Sequence, residues 1–383
     1  MPPYILYAMP GSLYSGKARA YLRKQRVEFI ERAPSHPGFD AARRAVGRWI
    51  IPVLETPDGG FIQDGADIIT HGETAGWARL PALAGGPVQR VVGAIFELFG
   101  GEGMVRPAMH YRWDFDADNL GFLAQDFSGP MVLEGGAEAR AASFAASSAR
   151  MRQAARIFGV SEDSAPVIEA SYARFLQLFE AHLETTPYLL GGAPTLGDYG
   201  LFAPLHAHLA RDPHPATLMK TTAWRVWRWV ERMYAPNQDA GEYGDVAEVV
   251  FAADAVPDTL KALLAFVAED YLPEVEAFMG FYNGVAAGPD IVAGEVIGGR
   301  ASQRVIGYTA FDWRGVKLSV AVFPYRVWLL QKIQDLFDGL AAADQAQARA
   351  LLAEVGLARL VDLRPTRRVE RVDNREVWGA LTS

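Results

Sequence analysis

The residues that can do chemistry sit in four short stretches. Gly11-Ser12-Leu13-Tyr14-Ser15-Gly16-Lys17 follows an apolar strand and precedes a helix, the context in which GxxxxGK forms a phosphate-binding loop. The next residue is Ala18, where a Ser or Thr must hold Mg²⁺, and Pro10 sits in the approach. No apolar strand ending in Asp follows as a metal partner, so a nucleotide reading accounts for these few residues only. Ile51-Pro52 opens an apolar run. Proline cannot donate to a ladder and belongs at a strand's first residue or at an edge, and such a turn is where a cis X–Pro bond is found. A cis bond points the N–H and C=O of Ile51 outward, free to pair with an extended peptide. Asp64 and Asp67 open a helix, whose partial positive charge favours anions and whose N–H groups can take a ligand carboxylate. His206-Ala207-His208 invites a metal reading, but residues two apart on a helix point away from each other, and Asp212 and His214 lie beyond the expected helix end. Structural histidines are the expectation there.

These stretches depend on the elements around them. Tyr4 to Ala8 reads as a strand, Met9-Pro10-Gly11-Ser12 as a turn, Leu13 to Gln25 as a helix and Val27 to Ile30 as a second strand. Ile51 to Thr56 turns through Pro57-Asp58-Gly59-Gly60, where Pro presets φ and Gly takes positive φ. Phe61-Ile62-Gln63 returns, and a helix starts at Asp64. Pro81 to Pro87 reads as a linker. Beyond it, Val91, Ile95, Leu98 and Phe99 repeat at helical spacing, as do Tyr172, Phe175, Leu176 and Phe179. Arg106 to Gly159 is less regular, with a helical candidate over Ala137 to Phe158. Thr195 and Asp198 form a capping box with Asp in place of Glu.

This order of strand, helix, strand, proline-headed strand, hairpin and acid-opened helix resembles the thioredoxin-like domain of the glutathione transferases. The box after Tyr188-Leu189-Leu190-Gly191 resembles the one opening a core helix of their helical domain. The resemblance covers roughly residues 1–235. It implies a thioredoxin-like α/β domain over 1–80 and an all-helical transferase-like domain over 87–235, with an additional α+β extension over 252–383. In the extension, Leu260 to Phe281 reads as a helix broken near Pro273. Val305 to Phe323 reads as a hairpin turning at Asp312-Trp313-Arg314-Gly315, followed by helices around Leu330 to Leu340 and Ala346 to Leu357.

The resemblance also implies a glutathione site. Ser12 falls where Ser-type and Cys-type transferases keep the residue that activates the thiol, and a hydroxyl at a helix N-terminus can donate to a thiolate and lower its pKa. Tyr14 and Tyr7 are alternative hydroxyl donors, and Ser12 can equally be an ordinary N-cap. Ile51 and Pro52 would hold the cysteinyl group of glutathione. Asp64 and Gly65 would hold the γ-glutamyl end, although Gly65 replaces the family's hydroxyl and supplies only its N–H. Tyr14, Tyr111 and Trp113, with Arg112, Met109 and Phe115, are candidates for a co-substrate pocket. The implied function is binding of glutathione as co-substrate and its conjugation to an electrophilic small molecule. The alternative is a non-catalytic binding or assembly module on the same fold. Peroxide or dehalogenation chemistry run through bound glutathione stays open, and a homodimer is carried over from the family.

Composition bounds the rest. The 383 residues carry a net charge of −8, with half the residues apolar and 21% charged. No basic excess exists to neutralise phosphates, so nucleic acid is not an expected partner. Cysteine is absent, which excludes disulfides and thiol exchange through the protein itself. The chain enters a strand almost at once and no apolar run approaches the roughly 18 residues of a membrane span, so a cytoplasmic protein without a membrane partner is expected. Trp224, Trp227 and Trp229 read as helix packing with Arg225, Arg228 and Arg232 on the wet side. Arg364, Arg367, Arg368, Arg371 and Arg375 read as a solvated, ion-paired face.

Overall fold

The computed structural model describes residues 3–77 and 79–382; the outermost expected domain limits, 1 and 383, lie outside them. The first unit runs β1 (Tyr4–Tyr7), α1 (Leu13–Lys24), β2 (Phe29–Arg32), α2 (Phe39–Val46), β3 (Val53–Glu55), β4 (Phe61–Gln63) and α3 (Gly65–Thr74). The sheet order is β2-β1-β3-β4, with β1 parallel to β2 and the remaining pairs antiparallel, so β4 is an edge. Alternation along the strands fills both faces. Leu6, Leu54 and Ile68 pack with Ala18 and Leu22 of α1 on one side, while Tyr7 and Val53 pack with Phe39 and Val46 of α2 on the other. The Ile51–Pro52 bond is cis.

A helical unit follows: α4 (Pro87–Leu98), α5 (Val105–Trp113), α6 (Asp116–Met131), α7 (Ala137–Ile157), α8 (Ala165–His182), α9 (Leu196–Pro204), α10 (Pro213–Thr222) and α11 (Trp224–Tyr234). The irregular stretch after Arg106 is therefore helical almost throughout. Single π-helical turns continue α4 over Phe99–Gly103 and α9 over Leu205–Leu209. Asp198 accepts from the N–H groups of Thr195 (2.9 Å) and Leu189 (3.0 Å) and from Trp229 Nε1 (3.2 Å); it caps α9 and ties down the loop before it. On α11 the sequence expectation needs correcting. Trp229 is buried, but Trp224 is half exposed and Arg232 is fully buried, because its guanidinium meets Pro187 O and Glu242.

The C-terminal part comprises α12 (Asp258–Asp270), α13 (Leu272–Ala286), β5 (Gly307–Trp313), β6 (Val316–Val322), α14 (Pro324–Asp338), α15 (Ala342–Glu354), α16 (Arg359–Asp362), β7 (Arg367–Val372) and β8 (Arg375–Leu381). The break ahead of Pro273 and the β5–β6 hairpin fall where the sequence puts them. The β7–β8 hairpin is additional. Its side chains do not stand apart from the helical unit: Phe99, Phe175, Phe266, Tyr271, Leu330, Ile333 and Leu352 belong to one continuous apolar core. A chain of buried charges stitches the same boundary. Arg326 of α14 donates to Glu102 (2.9 Å) and Glu274 (2.5 Å), and Glu274 also pairs with Arg106. Among the described residues no helix is long and apolar enough to cross a membrane.

Candidate functional site

Ser12 is the N-cap of α1, with φ −93° and ψ 123°. Its Oγ accepts from Ser15 N–H at 3.4 Å, while its own hydroxyl hydrogen finds no acceptor among the described residues. It can cap the helix and still donate outward to an anion. Arg112 holds the turn in place from α5. Its guanidinium donates to Gly11 O (2.8 Å), Ala207 O (2.7 Å) and both oxygens of Asp212 (2.7 Å each). A Cβ at position 11 would lie 2.6 Å from Asp126 Oδ2 and would push that side chain aside, so Gly lets the carboxylate come close to the turn.

Ile51 lines the same cavity as Ser12. Its N–H and C=O have no partner among the described residues, so a strand-like backbone pair is available there. The cavity has a volume of about 360 Å³. Met9, Leu13 and the Tyr14 ring complete its base; Met109, Trp113, Phe127, Met131 and Met151 form apolar walls from α5, α6 and α7; Ser147 and Arg150 lie at its α7 side. Trp49, half exposed, stands at one edge. His208 also lines it, with Nδ1 2.9 Å from Ala108 O. Burial and the nearby Arg112 charge hold it well below the usual histidine range, so it is neutral. The chamber is lined mainly by apolar side chains, with a hydroxyl donor and an unpaired peptide group at its base.

The opposite end of the expected glutathione site is different. Asp64 has φ 93° and caps α3, its Oδ1 accepting from Ala66 N–H (2.8 Å) and from the phenol of Tyr325 (2.7 Å). It is 5% exposed. Gly65 is buried against the Lys17 side chain, whose ammonium is paired with Glu97 at 2.5 Å. That pairing also removes Lys17 from any phosphate-loop role. Neither Asp64 nor Gly65 lines the chamber.

The family models agree with this architecture. The glutathione S-transferase N-terminal domain matches residues 6–75, β1 through α3. Its C-terminal domain matches residues 137–232, α7 through α11. These two matches assign the segments 6–75 and 137–232 to the glutathione S-transferase superfamily. Its transferase-like part is followed by the α+β elements after 252. A comparison with curated proteins found no match. Among solved structures, the transferase GSTFuA3 from Phanerochaete chrysosporium is 16% identical, covering 62% of this chain and 98% of its own, at a TM-score of 0.44. The beta-etherase LigF from Sphingobium sp. is 18% identical over 63% and 98%, at 0.43. A transferase from Methylobacterium radiotolerans, solved with glutathione sulfonate, is 16% identical over 66% and 100%, at 0.38.

Within this transferase fold the expected site residues are dispersed. Ser12, Tyr14, Ile51 and Trp113 meet at the chamber, and Pro52 shapes the turn behind Ile51. Tyr14 donates its phenol to Glu102 (3.2 Å), and Tyr7 donates its own to Glu55 (2.9 Å), so neither hydroxyl is turned to the chamber. Burial, then the Glu102 carboxylate, keeps Tyr14 protonated far above its usual range. Tyr111 stacks on Phe115 and packs on Tyr172, outside the chamber. Met109 lines the chamber as the sequence reading expects, whereas Trp49, Met131 and Met151, which carry no motif, were missed. The sequence reading also missed the residues that meet Asp64 and its neighbours, and for those a turn signal existed: Asp373-Asn374, a pair that tolerates positive φ, is a two-residue hairpin turn between Arg367–Val372 and Arg375–Leu381. Arg371, expected on a solvated face, is instead buried against Asp67 (2.8 Å), whereas Arg364 and Arg368 do pair at the surface with Asp338 and Asp335.

Proposed function

We propose that the protein binds a thiol of the glutathione type at the base of the chamber and joins its sulfur to an electrophilic carbon of an apolar molecule held above it. The observation that carries this reading is that Ile51, with an unpartnered backbone, and Ser12, with a free hydroxyl, line one apolar cavity of about 360 Å³. The cysteinyl N–H and C=O pair with Ile51, and Ser12 donates to the sulfur and favours the thiolate. The thiolate attacks carbon, the C–S bond forms, and the leaving group departs with its electron pair. Little beyond positioning is asked of the protein. Dimerisation and a cytoplasmic setting follow from the family alone and belong to the same proposal.

Ser12→Ala is expected to lose turnover with generic electrophiles by about 10²-fold while glutathione affinity stays nearly unchanged, measured by steady-state conjugation and calorimetry. Full turnover in the variant sinks the Ser12 role. A second reading, a binding module without catalysis, is favoured by one observation: the α3 end of the site is covered by residues from the C-terminal part.

A further inference from the structure

We infer that the C-terminal extension is a fixed internal plug at the N-terminal end of α3, so that the site recognises its thiol through the cysteinyl part alone; this rests on the reading that a thiol docks on Ile51. Three side chains fill the place where a ligand's ammonium and carboxylate would meet Asp64 and the first N–H groups of the helix. Tyr325, at the start of α14, donates to Asp64. Arg371 of β7 donates to Asp67 Oδ2 (3.0 Å), Gln63 O (3.0 Å) and Gln63 Oε1 (3.2 Å). Its charge already answers the acids that would attract an ammonium. Asn374, in the hairpin turn, accepts from Gln63 N–H (2.8 Å) and donates to Phe61 O (3.1 Å), which occupies the β4 edge.

The plug is held from behind. Arg48, ahead of β3, donates to Glu376 Oε2 (2.9 Å), Asn374 O (3.3 Å) and Ala301 O (3.2 Å). Arg371 pairs with the other oxygen of Glu376 at 2.5 Å. Tyr325 and Arg326 are buried, and α14 shares the core of the helical unit. Displacing these side chains would break several charge-assisted bonds at once and open apolar surface to water. A ligand that needs the α3 end has nowhere to put its charges, whereas one that needs only Ile51, Ser12 and the chamber meets an open site.

The test compares S-hexylglutathione with S-hexylcysteinylglycine, which lacks the γ-glutamyl group, by calorimetry on the full chain. Two charge-assisted bonds to a γ-glutamyl group would favour the first by at least about tenfold. The plug predicts affinities within about threefold of each other, less than one such bond confers. A tenfold or greater preference for S-hexylglutathione overturns the plug and leaves the thiol reading standing. Binding of neither compound overturns the thiol reading and this inference with it. In Tyr325→Ala, a preference for S-hexylglutathione that emerges only in the variant supports the plug. If that variant does not fold, slow amide exchange of residues 65–68 in the unaltered chain, unchanged by saturating S-hexylglutathione, supports it, and ligand-dependent protection there overturns it.

Discussion

At the scale of single residues, Arg112 does most to shape the site. Each of its nitrogens is engaged, and the partner carboxylate of Asp212 is fully buried. Burial pushes that carboxyl up, and the Arg112 charge pulls against it. Removing the guanidinium strands a buried acid, so Arg112→Ala is expected to cost roughly 3–5 kcal/mol in urea unfolding. Arg112→Lys should recover only part of this, because a lysine has no planar fork to span Asp212 and Gly11 together. A loss below about 1 kcal/mol in the alanine variant, the range of an exposed pair, contradicts this assignment. The sequence put Arg112 at the site but not Asp212, its partner 100 positions on. It also grouped Tyr111 with Trp113, yet consecutive helix residues are turned about 100° apart. Three in a row on α5 do not share one wall, and Tyr111 faces the aromatic stack instead.

At the scale of elements, the first unit was legible because each of its parts has a local cause: a cap at Ser12, a proline heading β3, a Pro-Asp-Gly-Gly turn. The β7–β8 hairpin carries a turn signal at Asp373-Asn374, but its role was not legible, since that lies in side chains paired with residues about 300 positions earlier. Two measurements address it. Asn374 has φ 63° and bonds β4 with both ends of its amide, so Asn374→Ala is expected to lose roughly 1–3 kcal/mol from strain and lost bonds together. Asn374→Gly keeps the turn and loses the bonds only, and should fall between the variant and the native chain; equal losses would remove strain from the account. Glu376 gives the pH dependence. Burial raises its carboxyl, but the hydrogen bond and charge of Arg48, with Arg371 and Arg304, outweigh that and hold it down at about 2, against an ordinary 4.5. A depressed acid stabilises the fold above its unfolded value and ceases to do so as pH falls through its folded one. Roughly 3 kcal/mol should therefore fade between about pH 4.5 and pH 2. Glu376→Gln, followed by urea unfolding across that window, should flatten this part of the profile.

At the scale of the whole molecule, the C-terminal part is structural tissue of the transferase body. Composition and helical spacing announced helices and a hairpin after residue 252, but not that they complete the core around Phe99 and Phe266. Cutting the chain after residue 251 would bare the α4 and α8 faces that α12, α14 and α15 cover. The fragment is expected to aggregate or to melt without a cooperative transition, while the full chain unfolds in one step detectable by circular dichroism. A soluble fragment with its own sharp transition would mean that the core divides more cleanly than the packing indicates.

The Arg48–Glu376 pair spans 328 positions, and this bears on how the protein is made. A ribosome adds about 5–20 residues per second, so that separation corresponds to roughly 15 seconds to a minute of synthesis. During that interval the nascent first domain presents Arg48, Asp64 and Asp67 to water with their eventual partners still unmade. Contacts this distant in sequence also slow the final closure. The half-made chain thus carries a charged cleft at the head of α3 that the finished molecule no longer has.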